Sequence, residues 1–450
     1  MRLLKRKLAR YKWFFPLREL AWNFTGMLKN INKTYRKYQC NTLEPEGPSR
    51  GNVLLSYFNT IGRDHIPAHI LLSHPDQPIP PCHHMEWMCL QIARTFLDMD
   101  YTVDLISWKN DQFVPQKSYN VFIDVRHNME RLAPLLNKDC VKIQHIDLCH
   151  MLYNNYAEAR RLLELQQRKG VTLPPRRFER PNLGIEHADC ATIIGNEFAM
   201  NTFRYANKSL YRVPVTNAVL YPSPQGKDFE TCHGRYLWLG NGGLVRKGLD
   251  LVLDAFAEMP EYHLTVCGPI QQEKDFTRAY YRELYETANI HTVGWVDISS
   301  PEFMEITSNC VGFIYPSCSE AQCGAVITCL HAGLIPIISY ESDVNVHDFG
   351  LILKDCSVKE IQSAIRMVSS LSVPELKMMA QKAWEYAQAH HTREKFAQEY
   401  RKVIETVIAT HGTKESPLEI PTSGDAVGTS NRTSPKPSLA SGTLSGLNLS

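Results

Sequence analysis

The chain has 450 residues, of which 44% are hydrophobic and 21% are charged, and its formal net charge at pH 7 is +2. This length exceeds one small core and fits two domains with appendages. The composition is that of an ordinary globular protein. No run of about eighteen apolar residues is present, which argues against a membrane-spanning helix.

Residues 1–50 form a basic segment in which leucines and aromatic residues recur at near-helical spacing until Pro16. Such an amphipathic helix can lie on an anionic membrane surface. The open alternative is that it packs on an acidic surface of the protein itself. The segment lacks the continuous apolar stretch and the small-residue cleavage site of a secretory signal.

Residues 51–218 alternate apolar strand patterns with amphipathic helix patterns, and we expect them to form the first domain. Alternation of this kind predicts a parallel, doubly wound sheet. The predicted helices cover residues 86–99 and about 157–168. The predicted strands cover residues 53–58, 102–106, 120–125, 141–147 and 190–195.

The same alternation returns in a second domain at residues 219–373, with elements from Tyr236 to about Met367. Residues 374–411 continue as a helical run with one apolar face, made of Phe396, Tyr400, Val403, Ile404 and Val407. Residues 412–450 are rich in Ser, Thr, Gly and Pro and contain no aromatic residue, so we expect a disordered tail.

The second domain carries two polar loops, each placed between a predicted strand and a predicted helix. The first contains Gly240-Asn241-Gly242 followed by Arg246 and Lys247, and the second contains Glu320 and Gly324. Backbone N–H groups and a helix N-terminus can face an anion at such positions. A cation for a diphosphate and a carboxylate for sugar hydroxyls together predict a nucleotide-sugar site.

The thirteen cysteines contain no CxxC pair. Those inside apolar runs are typical of small core residues in a reducing compartment: Cys89, Cys190, Cys267 and Cys329. The only candidate metal ligands are Cys82, His83 and His84, which are too few for a zinc site. We therefore expect no metal.

Residues 234–408 resemble the C-terminal half of the family 4 glycosyltransferases, which are retaining enzymes of the GT-B fold. The resemblance rests on five motifs in the family's order, at residues 246–250, 264–268, 293–296, 316–320 and 332–336. It implies an α/β protein with two doubly wound, Rossmann-like domains that face each other across a cleft. It also implies that the C-terminal helical run crosses back onto the first domain.

The resemblance assigns three catalytic roles. Lys247 would contact the donor diphosphate, Glu320 the hydroxyls of the transferred sugar, and His145 the sugar near the scissile bond. The remaining donor-site positions would be Gly240, Asn241, Gly242, Arg246, Gly324 and Thr328.

The chain departs from the family at two of these positions. Asn241 stands where the family has an arginine, and Arg246 is a potential substitute for that cation. Thr328 stands where a second glutamate would hold the nucleotide ribose, and a threonine cannot accept from two ribose hydroxyls as a carboxylate does. Both departures leave open a chain that has lost catalysis.

Structural roles compete with these assignments. Lys247 could be a surface lysine, Glu320 could cap the following helix, and a lone histidine such as His145 is usually structural. Further residues that could face the cleft are His84, Glu86, Asn196 and Glu197. A dinucleotide fingerprint fails, because Val245 occupies the position of its third glycine.

We therefore expect a retaining hexosyltransferase that needs no metal or cofactor other than its nucleotide diphosphate sugar donor. The acceptor would be a glycan or a lipid-linked glycan in polysaccharide or glycoconjugate synthesis. A non-catalytic GT-B protein that binds a glycan or a partner glycosyltransferase remains open, as does a sugar-nucleotide epimerase or hydrolase. We expect a cytoplasmic location, with residues 1–38 as a candidate peripheral membrane contact. We expect no nucleic-acid partner, since no recognition module is present.

Overall fold

The computed structural model describes residues 38–58, 84–217 and 219–411. The predicted N-terminal helix, Cys82, His83 and the predicted tail from residue 412 lie outside these ranges. Within them, no helix combines the length and apolarity needed to cross a membrane.

The first sheet has the strand order β1-β3-β2-β4-β5-β6-β7. β1 runs antiparallel to β3, and every other neighbouring pair of this sheet is parallel. Because β1 pairs with β3, the sheet begins earlier than the predicted domain start at residue 51. The strands are β1 Cys40–Leu43, β2 Gly51–Tyr57, β3 Tyr101–Ser107, β4 Val121–Asp124, β5 Val141–Ile146, β6 Cys190–Ile194 and β7 Ser209–Val213.

Five described helices accompany this sheet, with single 3-10 turns at Ala133–Leu135 and Arg204–Ala206. They are α1 His84–Leu97, α2 Met129–Leu132, α3 Met151–Lys169, α4 Gly184–His187 and α5 Glu197–Thr202. α3 begins ahead of its predicted start near residue 157. His150 caps its N-terminus by accepting a hydrogen bond from the Leu152 N–H, and Gly170 ends it in a left-handed conformation.

The second sheet is parallel throughout, with the strand order β10-β9-β8-β11-β12-β13. The chain reverses its direction of winding between the neighbours β8 and β11, and ligands of open α/β sheets bind at such a switch point. The strands are β8 Arg235–Leu239, β9 His263–Cys267, β10 Ile290–Gly294, β11 Gly312–Tyr315, β12 Ile335–Ser339 and β13 Leu351–Leu353.

The helices of the second domain flank this sheet, with 3-10 turns at Pro224–Gly226, Ile270–Gln272 and Tyr340–Ser342. They are α6 Leu249–Ala257, α7 Lys274–Ala279, α8 Tyr281–Tyr285, α9 Pro301–Ser308, α10 Gly324–His331 and α11 Val358–Ser369. The central strands β8, β11 and β12 are buried along almost their whole length, as a sheet covered by helices on both sides requires, whereas the edge strand β10 is partly exposed. Cys267 and Cys329 are buried here, and Cys89 and Cys190 are buried in the first domain.

The predicted C-terminal helical run consists of two helices, α12 Val373–His390 and α13 Arg393–His411. α12 packs on α10 of the second domain, whereas α13 reaches α1 and β7 of the first domain. The Phe396 ring of α13 lies 5.6 Å from the Trp87 ring of α1. Only the second half of the run therefore crosses back. On its predicted apolar face, Val403 is half-buried and the other four residues are buried.

Candidate functional site

The two polar loops of the second domain meet at its switch point. Gly248, which precedes α6, has a φ of +71°, and a Cβ atom placed on it would lie 2.5 Å from the carbonyl oxygen of Pro316. The Cys318 N–H donates to the Arg246 carbonyl at 2.9 Å. A glycine is needed for both the backbone conformation and the close approach. The sequence between Arg246 and Gly248 is thereby held against the loop that follows β11.

Five side chains converge where these loops meet, and we call them the Lys247–Glu320 cluster: Arg246, Lys247, Tyr315, Ser317 and Glu320. Glu320 Oε1 accepts from Lys247 Nζ at 3.0 Å and lies 3.5 Å from Arg246 Nη1. It also accepts from the hydroxyls of Ser317 at 3.0 Å and Tyr315 at 3.1 Å. Among described residues these hydrogen bonds all fall on Oε1, so Oε2 is available to another partner.

The charges of this cluster are almost fully removed from water. The side chains of Arg246, Lys247 and Glu320 are 1%, 11% and 12% exposed. Burial by itself would raise the pKa of Glu320, but Arg246 and Lys247 outweigh it and lower that pKa to about 2. Burial disfavours the positive charge of Arg246, but the carboxylate of Glu320 stabilises it. As a result the pKa of Arg246 is raised. Two cations and one carboxylate leave one net positive charge at the switch point.

The first domain contributes to the same place through α3. Asn154 Oδ1 accepts from Arg246 Nε at 3.2 Å and from the Ser319 hydroxyl at 2.9 Å. Cys149, just before α3, places its Sγ 2.9 Å from the same hydroxyl. Sequence analysis missed Asn154, Tyr315 and Ser317. The available signal was a tyrosine at the end of an apolar strand, whereas the burial of Asn154 is visible only in the structure.

The N–H groups of the first loop have an internal partner. Gly243 N–H donates to Glu273 Oε1 at 2.5 Å, and Leu244 N–H lies 3.3 Å from the same oxygen. Arg176 of the first domain approaches the other Glu273 oxygen at 3.8 Å. The N–H groups of Gly243 and Leu244 are therefore engaged within the chain, and anion binding by this loop stays a prediction. A carboxylate of the chain itself fills that position, and sequence analysis did not identify Glu273.

The other predicted residues of the first loop differ in their surroundings. A Cβ on Gly240 would lie 2.6 Å from the Trp238 ring, and one on Gly242 would lie 3.4 Å from Glu273 Oε1. Asn241 is exposed. Their contact with a nucleotide stays a prediction.

Gly324 and Thr328 lie on α10, behind the second loop. Gly324 is the first residue of this helix and is half-buried. Thr328 is buried, and its hydroxyl lies 3.1 Å from Asn217 Oδ1 and 3.0 Å from the Gly324 carbonyl oxygen. Because both neighbours are acceptors, the hydroxyl proton of Thr328 is engaged. Only its lone pairs remain for a ribose hydroxyl.

His145 does not join the cluster. It is fully buried in β5, with Nδ1 2.7 Å from the Thr192 hydroxyl and its ring 5.5 Å from Tyr57 and 6.1 Å from Tyr400. Burial lowers the pKa of His145 to about 3, so the imidazole is neutral. In this position His145 is a packed core residue beneath α13, and its catalytic role stays a prediction.

The weaker candidates are also placed. Asn196 binds across the domain interface, with its N–H donating to Asp343 Oδ2 at 2.5 Å and its side-chain amide donating to the Asp343 carbonyl at 2.8 Å. Glu197, the first residue of α5, is exposed. Glu86 lies in the first turn of α1. The side chain of His84 lies outside the described part of the chain.

No protein-family model matches the chain, and no similar sequence is found among curated proteins. Solved structures are similar. Sucrose-phosphate synthase from Thermosynechococcus elongatus covers 80% of this chain and 100% of its own, with a TM-score of 0.55 and 14% identity. A glycosyltransferase from Rickettsia africae covers 80% and 99%, with a TM-score of 0.51 and 10% identity.

At these identities the likeness establishes the fold. The chain has the GT-B fold, with two mostly parallel α/β domains, and the predicted fold class is confirmed.

Proposed function

We propose that this protein is a retaining glycosyltransferase that moves a hexose from a nucleotide diphosphate sugar to a glycan or lipid-linked acceptor. The observation that carries the proposal is the pair of cations, Arg246 and Lys247, that Glu320 holds at the switch point of the second sheet. The net positive charge of the three groups favours a diphosphate there. The two solved structures with the same fold belong to a sucrose-phosphate synthase and a glycosyltransferase.

Lys247 would stabilise the departing diphosphate. Its ammonium group is on a flexible stem, and its partners Glu320 and Tyr315 lie at 3.0 and 2.5 Å, so a phosphate oxygen could replace either. Arg246 is fixed by Asn154 and would act from a constant position. A positive charge placed where negative charge develops lowers the barrier to bond cleavage.

Glu320 would hold the transferred sugar through Oε2, the oxygen without a partner among described residues. The bond from the anomeric carbon to the phosphate oxygen would break, and its electron pair would leave with the diphosphate. The acceptor oxygen would form the new bond on the same face, and its proton would pass to the departing phosphate oxygen. This path would need no metal.

Contacts between the domains would keep water out of this step. Arg161 of α3 donates to the Pro316 carbonyl at 3.0 Å, and Gln322 N–H donates to the Ile194 carbonyl at 3.1 Å. Exclusion of water limits hydrolysis of the donor.

The test is an activity screen of the full chain with UDP-, GDP- and ADP-sugars and a panel of glycan and lipid-linked acceptors. We expect a nucleoside diphosphate and a glycoside that retains the donor's anomeric configuration, measured by NMR. Lys247→Met should lower kcat by about a hundredfold or more, as loss of a group that stabilises developing charge does. An inverted product, or full activity of Lys247→Met, would contradict the proposal.

A second candidate is a GT-B protein without catalytic activity that binds a glycan or a partner glycosyltransferase. Three observations favour it. Asn241 stands in place of a cation, and Thr328 stands in place of a carboxylate, with two acceptors already next to its hydroxyl. The Glu273 carboxylate also accepts a hydrogen bond from an N–H group of the first loop. Glycan binding together with the absence of nucleotide binding would select this alternative.

A further inference from the structure

The first domain contains a cavity at the C-terminal ends of β4 and β5, close to the N-terminus of α3. Its lining includes the residues that follow these strands, Val125 and Arg126 after β4 and Asp147 after β5. Walls come from Asn182 and from Phe203, the residue that ends α5. The polar lining is Arg126, Gln144, Asp147, His150, Glu179 and Asn182.

Among the described residues, the cavity lining contains one cation, and that cation is paired with carboxylates. Arg126 Nη2 donates to Asp147 Oδ2 at 2.8 Å, and Arg126 Nη1 lies 3.5 Å from Glu179 Oε2. Burial lowers the pKa of His150, so the imidazole of this lining residue is neutral and adds no charge. Burial raises the pKa of Asp147, but the guanidinium of Arg126 at 2.8 Å favours its ionised form. Among the described residues, one cation and two carboxylates then give the lining a net negative charge, which disfavours phosphate and carboxylate ligands.

Two lining side chains have buried polar atoms that lack a hydrogen-bond partner in the described part of the chain. Gln144 is 4% exposed and its Oε1 is unpaired, and His150 is 8% exposed and its Nε2 is unpaired. His150 Nδ1 accepts from the Leu152 N–H, so Nε2 carries the proton and lacks an acceptor. Leaving such groups unpaired costs about 1–3 kcal/mol each. A hydroxyl both donates and accepts, and can therefore satisfy either group.

The cavity adjoins the Lys247–Glu320 cluster. Cys149 lines the cavity and contacts the hydroxyl of Ser319, and Ser319 directly precedes Glu320 in the chain. Ile146 also lines it and belongs to the same buried apolar group as Ala321, on the other side of Glu320. A ligand here would approach the cluster from the first domain.

We propose that this cavity binds a neutral, hydroxyl-bearing part of the acceptor sugar, with Gln144 and His150 as its polar contacts and with phosphorylated sugars excluded. The assignment to the acceptor rests on the proposed function. The preference for a neutral hydroxylated ligand rests on the cavity alone.

The test measures binding to the full chain by NMR titration. The probes are the methyl glycosides of glucose, galactose, mannose and N-acetylglucosamine, and the 6-phosphates of the same sugars. At least one neutral glycoside should bind about tenfold more tightly than its 6-phosphate. Equal or tighter binding of the 6-phosphates, or no glycoside binding at all, would overturn the proposal.

Two variants connect binding to the cavity. Gln144→Leu should weaken glycoside binding roughly threefold to tenfold, since it removes one hydrogen-bonding group at similar volume. The matched control is Gln167→Leu on the exposed side of α3. Asp147→Asn should strengthen 6-phosphate binding about tenfold by releasing Arg126, and Glu179→Gln serves the same purpose if Asp147→Asn does not fold. Unchanged binding in Gln144→Leu would contradict the assignment.

Competition identifies the source of the sugar. Neither UDP nor UDP-glucose should displace the glycoside from an acceptor site, whereas displacement by UDP-glucose alone would assign the cavity to the donor sugar and overturn the proposal. UDP binding is measured in parallel with Lys247→Met. Nucleotide binding without glycoside binding would refute this inference alone, and glycoside binding without nucleotide binding would refute the proposed function alone.

Discussion

Gly248 approaches Pro316 so closely that a Cβ atom on Gly248 would lie 2.5 Å from the Pro316 carbonyl oxygen. This approach joins the loop after β8 to the loop after β11. It also brings Lys247, the residue before Gly248, within 3.0 Å of Glu320. The geometry of the candidate site thus depends on a residue without a side chain.

We predict that Gly248→Ala lowers the free energy of unfolding and weakens nucleotide binding, because the methyl group displaces one loop from the other. Gly170→Ala is a matched control. Gly170 has the same φ of +71°, but a Cβ there would meet nothing within 4 Å. The control should lose only the roughly 1–2 kcal/mol of a left-handed non-glycine residue. Equal losses of stability, measured by urea unfolding, would contradict a constrained contact at Pro316.

The Glu320 carboxylate should make the stability of the protein depend on acid pH. Its folded-state pKa of about 2 lies below the ordinary value of 4.5, so its ionised form stabilises the fold at pH values above 4.5. That contribution is lost as pH falls from about 4.5 through about 2, and amounts to about 3 kcal/mol at most. Glu320→Gln should therefore flatten the stability profile between pH 5 and pH 2, measured by denaturant unfolding at each pH.

The exposed Glu302 provides the control for this profile, since Glu302→Gln removes a carboxylate outside the cluster. At neutral pH Glu320→Gln should also be destabilising, because it leaves Arg246 and Lys247 buried without an anion. A Glu320→Gln profile that runs parallel to the wild-type profile down to pH 2 would refute the assigned pairing.

Arg168 of α3 connects the two domains through acidic residues of α6. It donates to Asp250 Oδ2 at 2.6 Å and to Asp254 Oδ2 at 2.7 Å, and Asp250 is fully buried. Arg168→Met should cost roughly 3 kcal/mol of stability, because Asp250 loses a partner that it cannot replace with water. Arg160→Met on the same helix removes an exposed pair with Glu164 and should cost less than about 1 kcal/mol. Similar costs for both variants would contradict this role of Arg168.

Thiol labelling should report separation of the domains at Cys149. This buried thiol contacts Ser319 across the interface, and burial raises its pKa to about 12, so it is unreactive while the domains are closed. Cys267, buried in β9, provides a control that requires opening of the second sheet. We predict that N-ethylmaleimide modifies Cys149 faster than Cys267, as read by mass spectrometry, and that Arg168→Met accelerates Cys149 selectively. Equal rates at both cysteines would show that only global unfolding exposes Cys149.

Sequence patterns predicted most strands and placed Lys247 and Glu320 on the two polar loops of one candidate site, because apolar runs and polar loop ends are local signals. They did not predict the contact between these two side chains. They did not locate the break between α12 and α13, since the apolar face of the run hides it near His391. The burial of His145 depends on Tyr400, which is distant in sequence. Glu273 was missed for the same reason, because its partners Gly243 and Leu244 come from another loop.

The most direct test of the central claim is calorimetric binding of UDP, GDP and ADP to the wild-type protein, Lys247→Met and Lys359→Met. Lys359 is an exposed lysine on α11 and controls for the loss of a positive charge. We predict that one nucleotide binds the wild type and Lys359→Met equally, and binds Lys247→Met at least tenfold more weakly, since a charge-assisted contact to phosphate is lost. Equal affinity of all three proteins, or no binding of any nucleotide to the wild type, would contradict a nucleotide-sugar site at the Lys247–Glu320 cluster.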